Sequence, residues 1–582
     1  MSPLMRCSMM NERYISLRTF LYERERNLEC ECKIEELEPI WFCTKKNVKR
    51  ILHQLMNRKC LIYIPGRGRG NISKIIFSRP FKEEIDEYLQ QCINQGNLEE
   101  VVQMMRSPIP KSWLVDATGK IHKMLGLHTD TNEKDILHAL KTREITTLDP
   151  LRVKIAFETH LIQHLGDTLI RYDEKSDRII PHLAHHYKAD HDYRAWTFFI
   201  RKGVVFHDQS EMTSKDIFFT INRIKGDSQN YSWLVDDIER VNCLGPYKIT
   251  IHLKRSNPFF IRYLAAPTFC ILPAHLNFTE QEWIGTGPFM LGEKTQNKLI
   301  LKANNHYFKE RPLIDEIHIH HISKDAAETI YFTVDKNEQT TKTSYHSIDD
   351  SGFQFLSFNF NRPLLQKIAF REALFHVFDV QKMIVELHLE AKESSSFNIG
   401  RSKQQIRDVT KIPQLLNQSE YTGEELVLFH FANDYAINAA CWLKKEANHF
   451  GVNIKLYEAS YEAFYESDVL EEADLLFMGL SLFSDKHLAF LSGFRNKALI
   501  FNQVFPEEAE QFIEAELFKF EHSNQLDERE KMMEKIEAYI RANYISLFLY
   551  HPIVNRPLDS IIRDVIPHSF GHLDFTKLWI EQ

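Results

Sequence analysis

Several features are missing from this sequence, and each absence narrows its function. Nowhere in the 582 residues is there an uncharged apolar run of the roughly 18 residues that a membrane helix needs. The first 28 residues carry Arg6, Glu12, Arg13, Arg18, Glu23, Arg24, Glu25 and Arg26. A secretory signal needs an apolar core of about 7–15 residues, and none is there, so the chain is expected in the cytoplasm. The nine cysteines form no CxxC pair and no zinc-ligand spacing, and Cys30-Glu31-Cys32 lacks a second ligand pair. Thiols scattered in this way suit a reducing compartment. No triad spacing, HExxH or nucleophile elbow is found, so no enzyme is expected. The sharpest absence is of acid. From Thr44 to Lys82 there are eleven Lys and Arg and no Asp or Glu; with −8 on the whole chain, −19 is left on the rest. A small basic segment on an acidic body is the asymmetry expected when one end meets a polyanion.

That basic segment closes a series of amphipathic patterns. Tyr14, Leu17 and Leu21 recur at i, i+3 and i+7. Ile34, Leu37 and Trp41 repeat the spacing, and Pro39 inside it predicts a late start or a kink. Thr44 is read as an N-cap, after which Val48, Ile51, Leu52 and Leu55 form one apolar stripe. Lys46, Lys49, Arg50, His53 and Asn57 project opposite it. Two β-rich runs follow, Leu61–Ile64 and Ile72–Phe77, joined by Pro65-Gly66-Arg67-Gly68-Arg69-Gly70-Asn71, whose glycines permit a tight turn with two arginines at its tip. The pattern predicts a winged helix-turn-helix, its third helix in the major groove with the first turn near base edges. Lysines there neutralise phosphates, Asn47, Arg50 and His53 face bases, and Arg67 and Arg69 reach the backbone or the minor groove. A protein-interaction module is the competing reading. A nucleotide loop is not, because the glycine-rich stretch lacks a Gly-Lys-Ser/Thr ending and opens no helix.

The run Phe42-Cys43-Thr44-Lys45-Lys46-Asn47-Val48-Lys49-Arg50-Ile51-Leu52, followed by Gly66-Arg67-Gly68-Arg69-Gly70-Asn71, resembles the N-terminal domain of SgrR-type regulators. The resemblance implies that residues 1–80 bind double-stranded DNA, through Thr44, Lys45, Lys46, Asn47, Lys49 and Arg50 on the helix and Arg67 and Arg69 on the wing.

Residues 81–142 are charge-rich, punctuated by Pro108, Pro110 and Gly119, and read as a helical connector of two or three short helices. From about Arg143 strands alternate with amphipathic helices. Trp196–Arg201 and Val204–Phe206 read as strands about the turn Lys202-Gly203, and Met212-Thr213 caps a helix through Ile224, which implies α/β lobes. Thr147-Leu148-Asp149-Pro150, Ile180-Pro181-His182-Leu183-Ala184, Trp196 to Asp208, Thr213 to Ile217, Gly285-Thr286-Gly287-Pro288-Phe289, Asn305 to Phe308, and Arg371 to Leu374 with Phe378-Asp379 resemble, in order, the motifs of oligopeptide and dipeptide solute-binding proteins. The resemblance implies a multidomain chain in which the winged helix, mostly α with a β wing, is followed over 143–582 by an α/β two-lobed periplasmic-binding-protein-like fold of type II. One lobe would use about 143–345 and 485–582, the other about 350–480, with a ligand cleft between them.

By the same resemblance Glu158, Thr159 and His160 fall where peptide binders place cleft residues. Their "DYPDP"-like segment, whose aspartate holds the peptide amine, corresponds here to Gly479-Leu480-Ser481-Leu482-Phe483-Ser484-Asp485. The first aspartate and both prolines are gone, which leaves Ser481 and Asp485 as candidates and makes a sugar phosphate as good a ligand as a peptide. Asn359 and Asn361 either bond the ligand or satisfy a turn, and the turn is favoured. Among 27 histidines, His318 and His320 share one face of a strand, but spacing places no carboxylate beside them. No metal site and no cofactor is read. The sequence thus predicts a cytoplasmic, DNA-binding transcription regulator that senses a small metabolite, as a homodimer if its operators are palindromic. The alternative is a solute-binding component of an ABC transporter.

Overall fold

The computed structural model describes residues 11–581 apart from 67–71, 96, 107–108, 111–112, 114–125, 130–132, 175, 227–230, 324–342, 350–351, 461–468, 481–484, 497–503, 560–561 and 565–571. The chain forms two compact units. The first holds residues 1–144, 292–301 and 315–342; the second holds 145–291, 302–314 and 343–582.

The first unit opens with helix Asn11–Leu21, strand Glu29–Cys32, a single helical turn Ile34–Leu37, helix Lys45–Asn57 and strands Leu61–Ile64 and Ser73–Phe77. The three strands make one antiparallel sheet with Ser73–Phe77 in the middle. This is the winged-helix order, with a first strand that the sequence pattern does not announce. Helix Lys45–Asn57 buries Val48, Ile51, Leu52 and Leu55, the predicted stripe. The second helix is shorter than its apolar spacing suggests. Pro39 has no amide hydrogen to continue the ladder, so the helix stops at Leu37 and Trp41 lies beyond it, its indole donating to the Arg13 carbonyl at 3.1 Å. Arg18 is fully buried in this domain, stacked 3.8 Å from the Phe77 ring centroid and donating to the Arg79 carbonyl.

The described residues of 81–142 include both helices and strands. Helices Phe81–Gln95 and Leu98–Arg106 pack into the winged-helix core through Ile85, Leu89, Val101 and Val102. Strands Gly126–Thr129 and Asp135–Lys141 follow, within the stretch read from sequence as a connector of short helices and loops. Asp135–Lys141 lies inside a five-stranded sheet of order Phe289–Lys294, Lys298–Ala303, Glu316–His321, Asp135–Lys141, Gly126–Thr129. It pairs in parallel with Glu316–His321. Long-range pairing of this kind is invisible to local periodicity.

In the second unit an antiparallel sheet runs Ile238–Cys243, Lys248–Leu253, Ala195–Ile200, Ala184–Ala189. The expected strand Val204–Phe206 is not one: Val205 makes only an isolated bridge to Glu211, and Lys248–Leu253 takes its place beside Ala195–Ile200. Helix Ser214–Lys225 starts at a complete capping box between Thr213 and Asp216. A seven-stranded mixed sheet includes Phe353–Phe358, Leu475–Leu480, Leu426–Phe431 and Ile454–Ala459, the last pair parallel and bridged by helix Asp434–His449. One continuous apolar core serves both of these sheets.

Candidate nucleic-acid interface and solute-domain residues

Thr44 occupies the N-cap position of the basic helix in extended conformation, as expected, but its hydroxyl caps nothing; its carbonyl accepts from the amides of Asn47 and Val48. Lys46, Asn47, Lys49 and Arg50 are exposed on the face opposite the buried stripe. Lys45 differs from them. Its ammonium is ion-paired with Glu35 of the preceding helical turn, an acidic neighbour that lies outside the acid-free segment. Phe42, two residues before the N-cap, is 94% exposed and held at a positive φ of 47°. The first two helical turns thus expose one side-chain amide, Asn47, and four cations, of which Lys45 is ion-paired with Glu35. Arg67 and Arg69 lie outside the described residues.

In the second unit the motifs resembling solute-binding proteins converge on Asp167. Its carboxylate is buried and accepts from His182 Nε2 at 2.6 Å, Arg171 at 2.8 Å, Tyr307 at 3.2 Å and Thr286 at 3.2 Å. Burial pushes its carboxyl upward, but His182, Arg171 and Tyr307 outweigh this and hold it below the ordinary carboxylate range. His182 is pushed down to about 4 by burial, with Arg171 adding to the effect against the pull of Asp167. It is therefore a neutral imidazole at pH 7 that donates from Nε2. His207 is the clasp of the Gly285–Phe289 segment: the Gly285 amide donates to Nδ1 at 3.2 Å, and Nε2 donates to the Gly287 carbonyl at 3.1 Å. A Cβ on Gly287 would lie 2.3 Å from the Leu165 carbonyl carbon and 2.5 Å from the Gly166 nitrogen, so only glycine fits this approach. Asp149, in the Thr147–Pro150 segment, binds Arg223 through both oxygens at 2.7 Å. These motif residues build the fold. Asp167 itself stands in none of the motifs and was missed, although it lies two residues after the helix those motifs enclose.

The candidate ligand residues fall in three different places. Glu158, Thr159 and His160 share the buried helix Ala156–Leu165. Glu158 accepts from the Thr146 amide at 3.3 Å, Thr159 donates to the Ile155 carbonyl, and His160 packs between His572 and Phe575 at ring-centroid distances of 5.0 and 4.9 Å. Asn359 is buried in a turn. Its amide donates to the Ala473 carbonyl at 2.8 Å and its oxygen accepts from the Asn361 amide, the turn role favoured from sequence. Asp485 is buried, caps helix Lys486–Arg495 and pairs with Arg262 at 2.7 Å; Arg262 also binds Asp177. Ser481 lies outside the described residues.

The histidines give a different picture from the sequence. His138, on strand Asp135–Lys141, is the direct register partner of His318, and His320 is two residues further along the same face. The carboxylate overlooked in the sequence is Glu316, two residues before His318 on the same strand and 2.8 Å from its Nε2. Glu316, His318 and His320 alternate along one strand, and only the pairing with a strand about 180 residues away brings His138 to them.

Comparison with known proteins adds to these observations. Residues 178–501 match the family model of bacterial extracellular solute-binding proteins, family 5 middle, and residues 11–123 match that of the sugar transport-related sRNA regulator N-terminus. The chain is 26% identical over 567 residues to the protein YhjP of Bacillus subtilis, spanning 95% of this chain and 96% of that one. It is 23% identical over 460 residues to the HTH-type transcriptional regulator SgrR of Yersinia enterocolitica, spanning 77% and 79%. Among solved structures, the oligopeptide-binding protein AppA of Bacillus subtilis, in complex with a nonapeptide, superposes with a TM-score of 0.66 at 20% identity, over 77% of this chain and 99% of that one. That likeness shows the fold. No helix among the described residues is long and apolar enough to cross a membrane.

Proposed function

The chain belongs to the family-5 bacterial extracellular solute-binding proteins, and on that premise we propose that it is a DNA-binding transcription regulator whose solute-binding-type domain senses a small metabolite. The observation that carries the reading is the exposed row Lys46, Asn47, Lys49 and Arg50, mounted on a helix whose other face is locked into the winged-helix core. A transporter component would have no use for that row, and the proposal places the protein in the cytoplasm with its DNA. Arg67 and Arg69 of the wing are assigned to the same interface, and a palindromic operator would engage two copies. Binding in the solute domain would act by favouring one arrangement of the chain over another, with a coupling free energy between the ligand and DNA.

For the ligand, Glu158, Thr159, His160, Ser481 and Asp485 remain the proposed contacts. Asp485 and Asp177 are already faced by Arg262, with Arg529 beside them, so two guanidinium groups balance the two carboxylates before any ligand amine arrives, although Asp485 Oδ2 meets no hydrogen-bond partner among the described residues. That favours a sugar phosphate or similar metabolite over a peptide. The test is a melting-temperature screen of the full chain against sugar phosphates and short peptides, followed by DNA titration with any compound that raises it. A stabilising compound that also changes DNA affinity supports the reading. A compound that stabilises without touching DNA affinity contradicts the sensing role.

A further inference from the structure

We propose that His138, His318 and His320 form a site for one divalent transition-metal ion of the zinc, cobalt, nickel and copper group. The ligand nitrogens of these three side chains all lie within 4.8 Å of one another. Two nitrogens on a tetrahedral zinc ion, each about 2.0–2.1 Å from the metal, stand roughly 3.4 Å apart. His138 Nδ1 and His320 Nε2 are already 3.1 Å apart, so a small opening of that pair admits an ion. The three imidazoles come from one face of two paired strands: His138 and His318 are cross-strand partners, and His320 is next along that face. A sheet fixes such positions more closely than a loop would.

The surroundings fit a metal better than a mere histidine stack. His318 donates from Nε2 to Glu316 Oε2 at 2.8 Å, which leaves Nδ1 as the coordinating atom and supplies the carboxylate–histidine pairing that orients metal ligands. Lys134 holds Glu316 from its other oxygen at 2.8 Å. His320 is buried while His138 and His318 are half-buried, so an ion would be sheltered yet reachable. Three neutral imidazoles and no carboxylate in the inner set select borderline transition metals over magnesium or calcium, and they leave a fourth position for water or an incoming ligand. The place is also significant. Leu140, two residues beyond His138, packs against the core of the N-terminal DNA-binding domain, and Ile322, two beyond His320, belongs to that core. An ion linking these strands would stiffen the platform on which that domain is seated.

The experiment uses the untagged full chain, stripped with a chelator and titrated with Co2+ and then with Zn2+ against a chromogenic competitor. We expect one equivalent of Co2+ with visible d–d bands, displaced by Zn2+. Glu316→Gln should weaken affinity about 10–100-fold. His138→Ala and His320→Ala should each weaken it at least as much, whereas His321→Ala should not change it. Because His320 is buried, its variant is accompanied by His318→Gln at a half-buried position, which is expected to keep the native circular dichroism. Wild-type chain that shows no saturable one-equivalent binding overturns the proposal. So does a folded His318→Gln or His138→Ala variant that binds as wild type does.

Discussion

His182 Nε2 lies 2.6 Å from Asp167 Oδ1, and both side chains are fully buried. The Nδ1 atom of His182 is also buried and meets no hydrogen-bond partner among the described residues, so the ring gains nothing from a second proton. Burial, with Arg171 adding to it, pushes its pKa down to about 4 from the ordinary 6.5. Between those values the unfolded chain binds a proton that the native chain refuses, so stability falls as pH drops from 6.5 to 4. The loss from this residue should approach about 2–3 kcal/mol, since each pH unit between the unfolded and native pKa costs at most about 1.4 kcal/mol. Asp167, held below the ordinary range, adds a further loss at lower pH still, as the pH falls through its native value. Urea unfolding across this range should show the decline, and His182→Gln should flatten it. An equally steep decline in the variant would place the proton uptake elsewhere.

Removing the carboxylate should be worse than removing the histidine. Asp167→Ala leaves His182, Arg171, Thr286 and Tyr307 without their common acceptor. Breaking a buried charged network from one side costs about 3–5 kcal/mol. Chemical denaturation at pH 7 measures this directly, and a change under about 1 kcal/mol would mean that the four donors find other acceptors.

Gly287→Ala tests the close approach behind the Gly285–Phe289 motif. The added methyl would meet main-chain atoms of His164, Leu165 and Gly166, none of which can rotate away. Overpacking of this kind costs about 1–3 kcal/mol. Thermal unfolding should show it, and an unchanged Tm would show that the segment relaxes freely.

On the DNA side, Lys45 and Arg50 should behave differently although both are basic and exposed. Lys45 is held by Glu35, and among the described residues no acid is placed against Arg50 in the same way. Arg50→Ala should lower DNA affinity and reduce the salt slope by about one, whereas Lys45→Ala should change the slope less. Anisotropy titrations at several salt concentrations distinguish the two. Equal effects would mean that the Glu35 pair opens on binding.

Much of this was legible in the sequence because it is local. The apolar stripe of Val48, Ile51, Leu52 and Leu55 is a helical period and is buried as expected. The solute-binding motifs follow one another in order, and the fold they imply is the fold found. What was not legible depends on partners distant in the chain. Strand Asp135–Lys141 has a sequence that suits a helix nearly as well, and its parallel partner is some 180 residues away. His138 was hidden for that reason, and with it the relation to His318 and His320. Asp167 was missed because its four partners come from separate stretches of chain, none of which points to it. The bonds that Asn359 and Asp485 make were hidden because their partners Ala473 and Arg262 are remote in sequence. The ligand residues are the least legible of all, since side chains that contact a ligand need follow no period.

The most direct test of the central claim is the salt dependence of binding to a duplex from the region upstream of the protein's own gene, compared between the wild-type chain and the Lys46→Ala/Lys49→Ala/Arg50→Ala variant. If that helix face meets phosphates, the wild-type affinity should fall steeply with salt, and the variant should bind at least about ten-fold more weakly with a log–log slope shallower by about two to three. A folded variant with wild-type affinity and an unchanged slope would contradict the assignment of this domain to DNA.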